Sequence, residues 1–342
     1  MVSRLLAFLV AAAAALAALL LAWPQAFGLQ DQLGFAQVVA FRAVLIGAAI
    51  VAIALFGLLC LIRPARKLMA ALTVIALLFG VANAVILATR GFGQTDTPAT
   101  ASTSKNSVTV VSWNTLGGHP GAAAVAKLAL DQKADIVSLP ETTDDFATEV
   151  AERMRAGGRP MWALGLSFSD VYKARSTALL ISPDLGDYTV ESAGGTGPPG
   201  NTNVSPTVVA RPDDGDGPTI IAVHAVSPLR GEMTNWRSDL NWLASQCQSG
   251  DVIMAGDFNA TLDHMWRHGD KGGQLGSCKD AALQTGAAAV GTWPSDLPTL
   301  LGSPIDHVLA TSAWVPTRFQ VITSLDDLGS DHRPIVATLE RR

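Results

Sequence analysis

Val252-Ile253-Met254-Ala255-Gly256-Asp257-Phe258-Asn259-Ala260 passes from an apolar, β-branched stretch into a polar turn. Residues 252–254 read as part of a buried strand. Asp257 and Asn259 then stand at its C-terminal end, where strands deliver side chains to a sheet edge. The pattern recurs along the chain. Residues 108–111 precede Ser112-Trp113-Asn114, residues 136–139 lead into Pro140-Glu141-Thr142, and residues 220–223 lead into His224. Two further clusters follow, Ile305-Asp306-His307-Val308 and Gly329-Ser330-Asp331-His332-Arg333-Pro334. A single Asp or Asn at a strand end is ordinarily a cap or turn residue. Six such clusters in one chain point instead to a shared site at one edge of a sandwich.

The order Asn, Glu, His, Asp-x-Asn, Asp, Ser-Asp-His resembles the endonuclease/exonuclease/phosphatase superfamily of DNase I-like nucleases, sphingomyelinases and inositol-polyphosphate phosphatases. Gly-Asp-Phe-Asn-Ala and Ser-Asp-His-Arg-Pro are its most specific pieces, and the match covers roughly residues 106–342. The resemblance implies an α/β fold, a four-layer sandwich of two packed mixed sheets flanked by helices. It also implies a divalent cation, usually Mg²⁺, with Mn²⁺ or Ca²⁺ as alternatives. Two features depart from the pattern: Pro140 precedes Glu141 where many relatives carry Gln, and Thr115-Leu116-Gly117-Gly118 lacks a second acidic residue.

The chemistry follows from the residue types. A phosphoester repels an incoming nucleophile, so its hydrolysis calls for a hard cation, an activated water and donors for developing charge. Hard cations take carboxylate and amide oxygen, which suits Glu141, Asn114 and Asp331 as metal ligands. By the resemblance, Asp257 accepts the proton of the attacking water, Asn259 orients phosphate oxygens, and His332 donates to a non-bridging oxygen. Asp306 is its expected carboxylate partner, and His224 is a second donor. His307 follows Asp306 directly, points to the other face of a strand, and is read as structural. Asp263, His264 and His268 lack a third soft ligand nearby and are read as a solvated or substrate-contacting loop rather than a zinc site.

The first ninety residues have another character. Residues 5–22, 43–62 and 68–89 are three apolar runs long enough to cross a bilayer core. A hydrophobic content of 49% and a mean hydropathy of +0.31 agree. The first run, with Arg4 before it, also has the make-up of a signal peptide, but its length, the lack of a small-residue cleavage site and the two later runs favour a retained helix. Arg63, Arg66 and Lys67 follow the second run, whereas the loop after the first carries only Asp31 before Arg42. Positive charge stays in the cytoplasm, so the expected chain is a multi-pass cell-membrane protein with a cytoplasmic N-terminus and an extracytoplasmic catalytic domain. The spans hold no buried acid or base by this reading, and Cys60 lies within the second.

The expected organisation is a membrane anchor at 1–90, a Thr/Ser/Gly-rich linker at 91–107, and one catalytic domain at 108–342. Helices are expected at 122–130, 146–155 and 233–246, and a Gly/Pro loop rimming the site at 194–203. Cys247 and Cys278 are the only cysteines of the outer domain, and an oxidising exterior permits their disulfide. Residues 91–342 carry 18 basic and 28 acidic side chains, a net of −10, and show no basic stripe of the kind that binds nucleic acid without sequence preference. The expected partner is a phosphoester substrate, a phospholipid headgroup or nucleic acid, with the membrane held through the N-terminal helices and no obligate protein partner evident. The alternative is a binding or structural module that keeps the fold without turnover.

Overall fold

The computed structural model describes residues 2–93, 106–169, 172–192, 196–248 and 250–342. Most of the expected 91–107 linker lies outside the described residues. The chain forms two units, Met1–Gly91 and Phe92–Arg342.

The first unit contains α1 (Val2–Ala22), the short α2 (Phe35–Val39), α3 (Arg42–Leu59) and α4 (Arg66–Arg90). Three helices, α1, α3 and α4, are long and apolar enough to cross a membrane. The second ends at Leu59, earlier than hydropathy alone places it. Pro64 disfavours helical backbone in the residue before it, so Cys60 sits in the turn between α3 and α4 rather than in the span. One expectation is corrected here. Arg42 is only 3% exposed; its guanidinium donates to Asn83 Oδ1 on α4 (2.7 Å) and to the Ala22 carbonyl ending α1 (3.2 Å). An arginine that borders a span in sequence thus ties three helices together, because burial in an apolar bundle demands partners for its N–H groups.

The second unit runs β1 (Ser107–Ser112), α5 (Ala122–Asp131), β2 (Ile136–Pro140), α6 (Asp144–Ala156), β3 (Trp162–Ser167), β4 (Ser176–Ile181), β5 (Tyr188–Val190), β6 (Val208–Pro212) and β7 (Thr219–His224). It continues through α7 (Met233–Gln246), β8 (Val252–Asp257), α8 (Leu262–Met265), β9 (Lys279–Asp280), α9 (Ala281–Gln284), β10 (Asp306–Ala310), β11 (Trp314–Val321) and β12 (Ile335–Arg341). One six-stranded sheet has the order β11-β12-β1-β2-β4-β3 and the other β5-β6-β7-β8-β10-β9. Both are mixed, with parallel β1/β2 and β7/β8 pairs and antiparallel neighbours. β2 and β8 are buried along their whole length, as strands covered on both faces must be. Ser138 reaches across from β2 and donates to the Ala255 carbonyl of β8 at 2.7 Å. On the far face of the first sheet, Val125, Ala129, Val150 and Met154 of α5 and α6 pack against Val111, Val137, Leu139 and Leu180. This is the expected sandwich of two packed mixed sheets with helices outside.

The topology sends one edge of both sheets toward the same place. β1, β2, β7 and β8 end there, and β4, β10 and β12 begin there, since His224 pairs with Asp257, Asp257 with Asp306, and Pro140 with Thr177. Gly256 has φ +152°, and a side chain there would collide with the Val223 backbone of the neighbouring strand; only glycine lets β7 approach so closely.

Cys247, capping the C-terminus of α7, and Cys278, just before β9, form a disulfide with their Cα atoms 5.7 Å apart. The bridge closes a loop with a sequence separation of 31, for which chain entropy gives roughly 3–4 kcal/mol. Replacing both cysteines with serine is expected to lower the unfolding free energy by about that much in denaturant titration. An unchanged midpoint would show that the bridge adds nothing.

Candidate active site

Of the expected site residues, His224, Asp257 and Asp306 are terminal residues of strands and Glu141 directly follows β2, while Asn114, Asn259, Asp331 and His332 lie two to four residues outside their strands. The backbone is strained at two of them: Glu141 has φ 55° and Asn259 has φ 46°. Left-handed backbone at a non-glycine residue costs of order 1 kcal/mol and persists where surrounding structure enforces it. At Asn259 the enforcement is visible. Its backbone N–H donates to Asp257 Oδ1 (2.8 Å), while its Nδ2 donates to the Ala225 carbonyl (2.9 Å) and to Asp257 Oδ2 (3.2 Å). The Asn259 carbonyl in turn accepts from the Trp236 indole at 3.1 Å.

His332 lies at the centre. Its Nδ1 is 2.9 Å from Asp306 Oδ2 and its Nε2 is 3.7 Å from Asp257 Oδ2. All three residues are buried. Burial disfavours the imidazolium, but the Asp306 and Asp257 carboxylates outweigh it and hold the ring well above the ordinary histidine range. Burial acts first on Asp257 as well and pushes its carboxyl upward, with Asp306 adding to the rise and His332 opposing it. The outcome is a protonated ring, fixed in orientation by Asp306, beside a carboxylate of raised basicity.

His224 is the opposite case. Burial, reinforced by the His332 charge, lowers it to about 3, so it is neutral. Thr177 Oγ1 lies 3.4 Å from its Nδ1, and donation from that hydroxyl leaves the proton on Nε2. Nε2 is 3.8 Å from Glu141 Oε1. Asn114, buried just beyond β1, donates from Nδ2 to Glu141 Oε1 (3.1 Å) and Asp257 Oδ2 (3.2 Å). Its Oδ1 accepts from the Leu116 backbone at 3.0 Å. Expected as an oxygen ligand, Asn114 thus presents its amide nitrogen to the carboxylates and holds them in place.

Among the described residues, Asp257, Asp306 and His332 bring possible ligand atoms within 4.8 Å of one another. A ring kept protonated by the two carboxylates beside it acts there as a donor and not as a ligand. Glu141 and Asp331 make the better hard-cation pair. Burial raises the Glu141 carboxyl, and the Asp331 charge adds to the rise. Asp331 Oδ1 is buried with no hydrogen-bond partner, while Oδ2 accepts from the Trp293 indole at 2.9 Å. Desolvated carboxylates with an unmatched oxygen fit a hard divalent cation.

Several supporting residues went unassigned at the level of sequence. Trp293 positions Asp331, and Thr177 places its hydroxyl against His224 Nδ1. Ser330 donates to the Asn114 carbonyl (2.6 Å) and accepts from the His332 backbone (3.1 Å), clamping β1 to the Ser-Asp-His segment. Arg333 is 3% exposed. It pairs with Asp326 and donates to the Gly291, Pro294, Ser295 and Leu297 carbonyls, gripping the loop that carries Trp293.

Two neighbouring groups behave differently. His307 turns away from Asp306, its ring nitrogens 2.7 Å from Asp280 Oδ2 and 2.9 Å from the Ala260 carbonyl. Asp263 and His264 are buried and not solvated. His264 Nδ1 accepts from the Thr261 backbone at 2.8 Å, as part of the N-terminal cap of α8, and its ring packs edge-on to Trp236. For Asp263 and His264 that corrects the solvated half of their reading as a solvated or substrate-contacting loop: the turn after Asn259 needs a cap, and His264 joins Thr261 in supplying it.

The model of the Endonuclease/Exonuclease/phosphatase family matches residues 111–332. The chain belongs to that family. Its members are generally hydrolases of phosphoesters and typically use divalent metals. No curated protein matches the chain. Solved structures show the same fold. A humanized D. rerio TDP2 carrying 14 mutations is 18% identical, covers 69% of this chain and 99% of its own, and superposes with a TM-score of 0.52. An endonuclease/exonuclease/phosphatase from Beutenbergia cavernae is 17% identical over 69% of this chain and 72% of its own, with a TM-score of 0.52. TDP2 from C. elegans is 18% identical, covers 87% of this chain and 93% of its own, and gives a TM-score of 0.50.

Proposed function

We propose that this family member is a divalent-metal-dependent phosphoester hydrolase, anchored in the cell membrane with its catalytic unit outside the cytoplasm. The observation that carries the reading is the buried Asp257–His332–Asp306 array beside Glu141 and Asp331. Asp257, raised by burial, takes the proton of the attacking water. His332 donates from Nε2 to a phosphoryl oxygen as negative charge grows there, its ring aligned by Asp306. Neutral His224 offers a second N–H, toward phosphate or leaving group, and Asn259 keeps Asp257 oriented. A cation held by Glu141 and Asp331 would polarise the phosphoryl oxygens and offset their charge. The orientation rests on Arg63, Arg66 and Lys67, a positive turn between α3 and α4 that favours the cytoplasm.

The direct test uses the full chain in detergent against DNA, RNA, phospholipids, inositol phosphates and aryl phosphoesters, with Mg²⁺ or with EDTA. Turnover of at least one substrate that stops with EDTA and is reduced by Glu141→Gln is expected. Silence from the folded, Mg²⁺-binding protein across the panel would sink the reading.

A pH dependence follows. His332 must be protonated to donate, so its contribution holds below its pKa and is lost as pH rises through it. Asp306 is the leading cause of that raised pKa. Asp306→Asn is therefore expected to move the alkaline limb of the kcat profile to lower pH, and the acid limb set by Asp257 also downward but by less, because burial is the larger cause of the Asp257 rise. An alkaline limb that stays in place would show that Asp306 does not control the ring.

A further inference from the structure

In the catalytic unit, eight large apolar side chains are exposed among the described residues, and six lie on loops at one edge. Leu229 is on the connection from β7 to α7, Trp266 follows α8, Tyr172 precedes β4, and Leu297, Leu300 and Leu301 precede β10. These are the segments that leave or enter the sheets beside His224, Asp257, Thr177 and Asp306. Of the other two, Trp162 lies on the part of β3 that pairs with Ile181, at the end of β4 away from that edge, and Phe92 is at the start of the unit. Scattered apolar residues are ordinary on protein surfaces; six gathered around one catalytic edge are not.

The rim has a second regularity. Leu229 is followed by Arg230 and Trp266 by Arg267, both arginines exposed. An apolar anchor beside a guanidinium matches the bilayer interface. There Trp and Tyr settle at headgroup depth, aliphatic side chains enter the acyl boundary, and Arg meets phosphate. Nucleic acid fits less well, because leucines gain nothing against a hydrated polyanion and residues 91–342 carry a net charge of −10. The chain also brings three helices able to cross a membrane.

We infer that this apolar rim seats on a lipid surface, and that the site takes a phosphoester carried by a lipid and not one free in solution. The inference rests on the phosphoester-hydrolase reading for its catalytic half. Tyr172, Leu229, Trp266 and the three leucines of the β10 loop form the contact, and the phosphate enters between them to reach His332.

The test uses the full chain in phosphatidylcholine nanodiscs with two substrates that share a leaving group. One is ethyl p-nitrophenyl phosphate in solution, and the other is a diacylglyceryl p-nitrophenyl phosphate in the bilayer. The ratio of lipid to soluble turnover is expected to fall about tenfold or more in Trp266→Ser/Leu300→Ser/Leu301→Ser. In parallel, brominated phosphatidylcholine is expected to quench a component of tryptophan fluorescence that disappears in Trp266→Phe. An unchanged ratio together with no Trp266 quenching overturns the inference while leaving the hydrolase reading intact. Loss of DNA hydrolysis in the rim variant, with the lipid ratio unchanged, also overturns it. Quenching at Trp266 without turnover of any substrate supports the lipid contact and removes the hydrolase reading instead.

Discussion

Alanine at position 332 is expected to lower kcat by about three orders of magnitude on any phosphoester the protein hydrolyses. The ring acts in two ways. On the proposed reading its Nε2 supplies a charged donor where the phosphoryl oxygens become more negative, and its charge offsets that of the two buried carboxylates beside it, Asp257 and Asp306. Without it, burial and repulsion from Asp306 push the Asp257 carboxyl further up, so Asp257 becomes a poorer base at neutral pH. Loss of donor and base together is why the effect should exceed that of His224→Ala, where a neutral donor alone is removed. Steady-state rates and a thermal melt on the same preparation test this. His332→Gln, which keeps an N–H and adds no cavity, guards against a folding defect. A drop smaller than tenfold in both variants would exclude His332 as the charged donor.

The second large effect is on stability. Arg333→Met is expected to cost roughly 3–5 kcal/mol, the range seen when one partner of a buried ion pair is removed. Asp326 would lose a partner bonded at 2.8–3.0 Å, and four carbonyls between Gly291 and Leu297 would lose their donor. The melting temperature of the catalytic unit should fall by roughly 10 °C. Activity should fall too, because the loosened loop carries Trp293, whose indole holds Asp331 at 2.9 Å. Added Mg²⁺ should recover part of the melt if Asp331 binds it, by mass action on the folded state. A melt within 2 °C of the parent would show that these contacts exchange freely for water.

The same pair of examples shows what could be read from the linear chain. Asp257, Asn259, Asp306 and His332 announce themselves because each stands at or near an end of an apolar stretch, and the period-2 geometry of strands leaves such residues at an edge. Their order carried the family, and with it the sandwich. The three apolar helices were legible for a similar reason, since each is an unbroken apolar run of the length a bilayer core requires. Arg333 was part of a visible motif, yet its five partners lie 7 to 42 positions away. No local signal marks such a network. Asp263 and His264 misled for the converse reason: polar residues in a short stretch suggest solvent, and only packing against Trp236 and the cap at Thr261 reveals them as buried.

By itself the sequence determined the family, the candidate polar groups and their succession along the chain, and the three apolar runs long enough to cross a bilayer. These depend on residue type, periodicity and length, which are local properties. The tertiary structure alone decided that Asn114 offers nitrogen to the carboxylates, that His224 is neutral while His332 is charged, and that Arg42 of α3 ties together the end of α1 and the middle of α4. Each of these depends on burial and on partners brought from distant positions, and desolvation exists only once the chain has closed around a group.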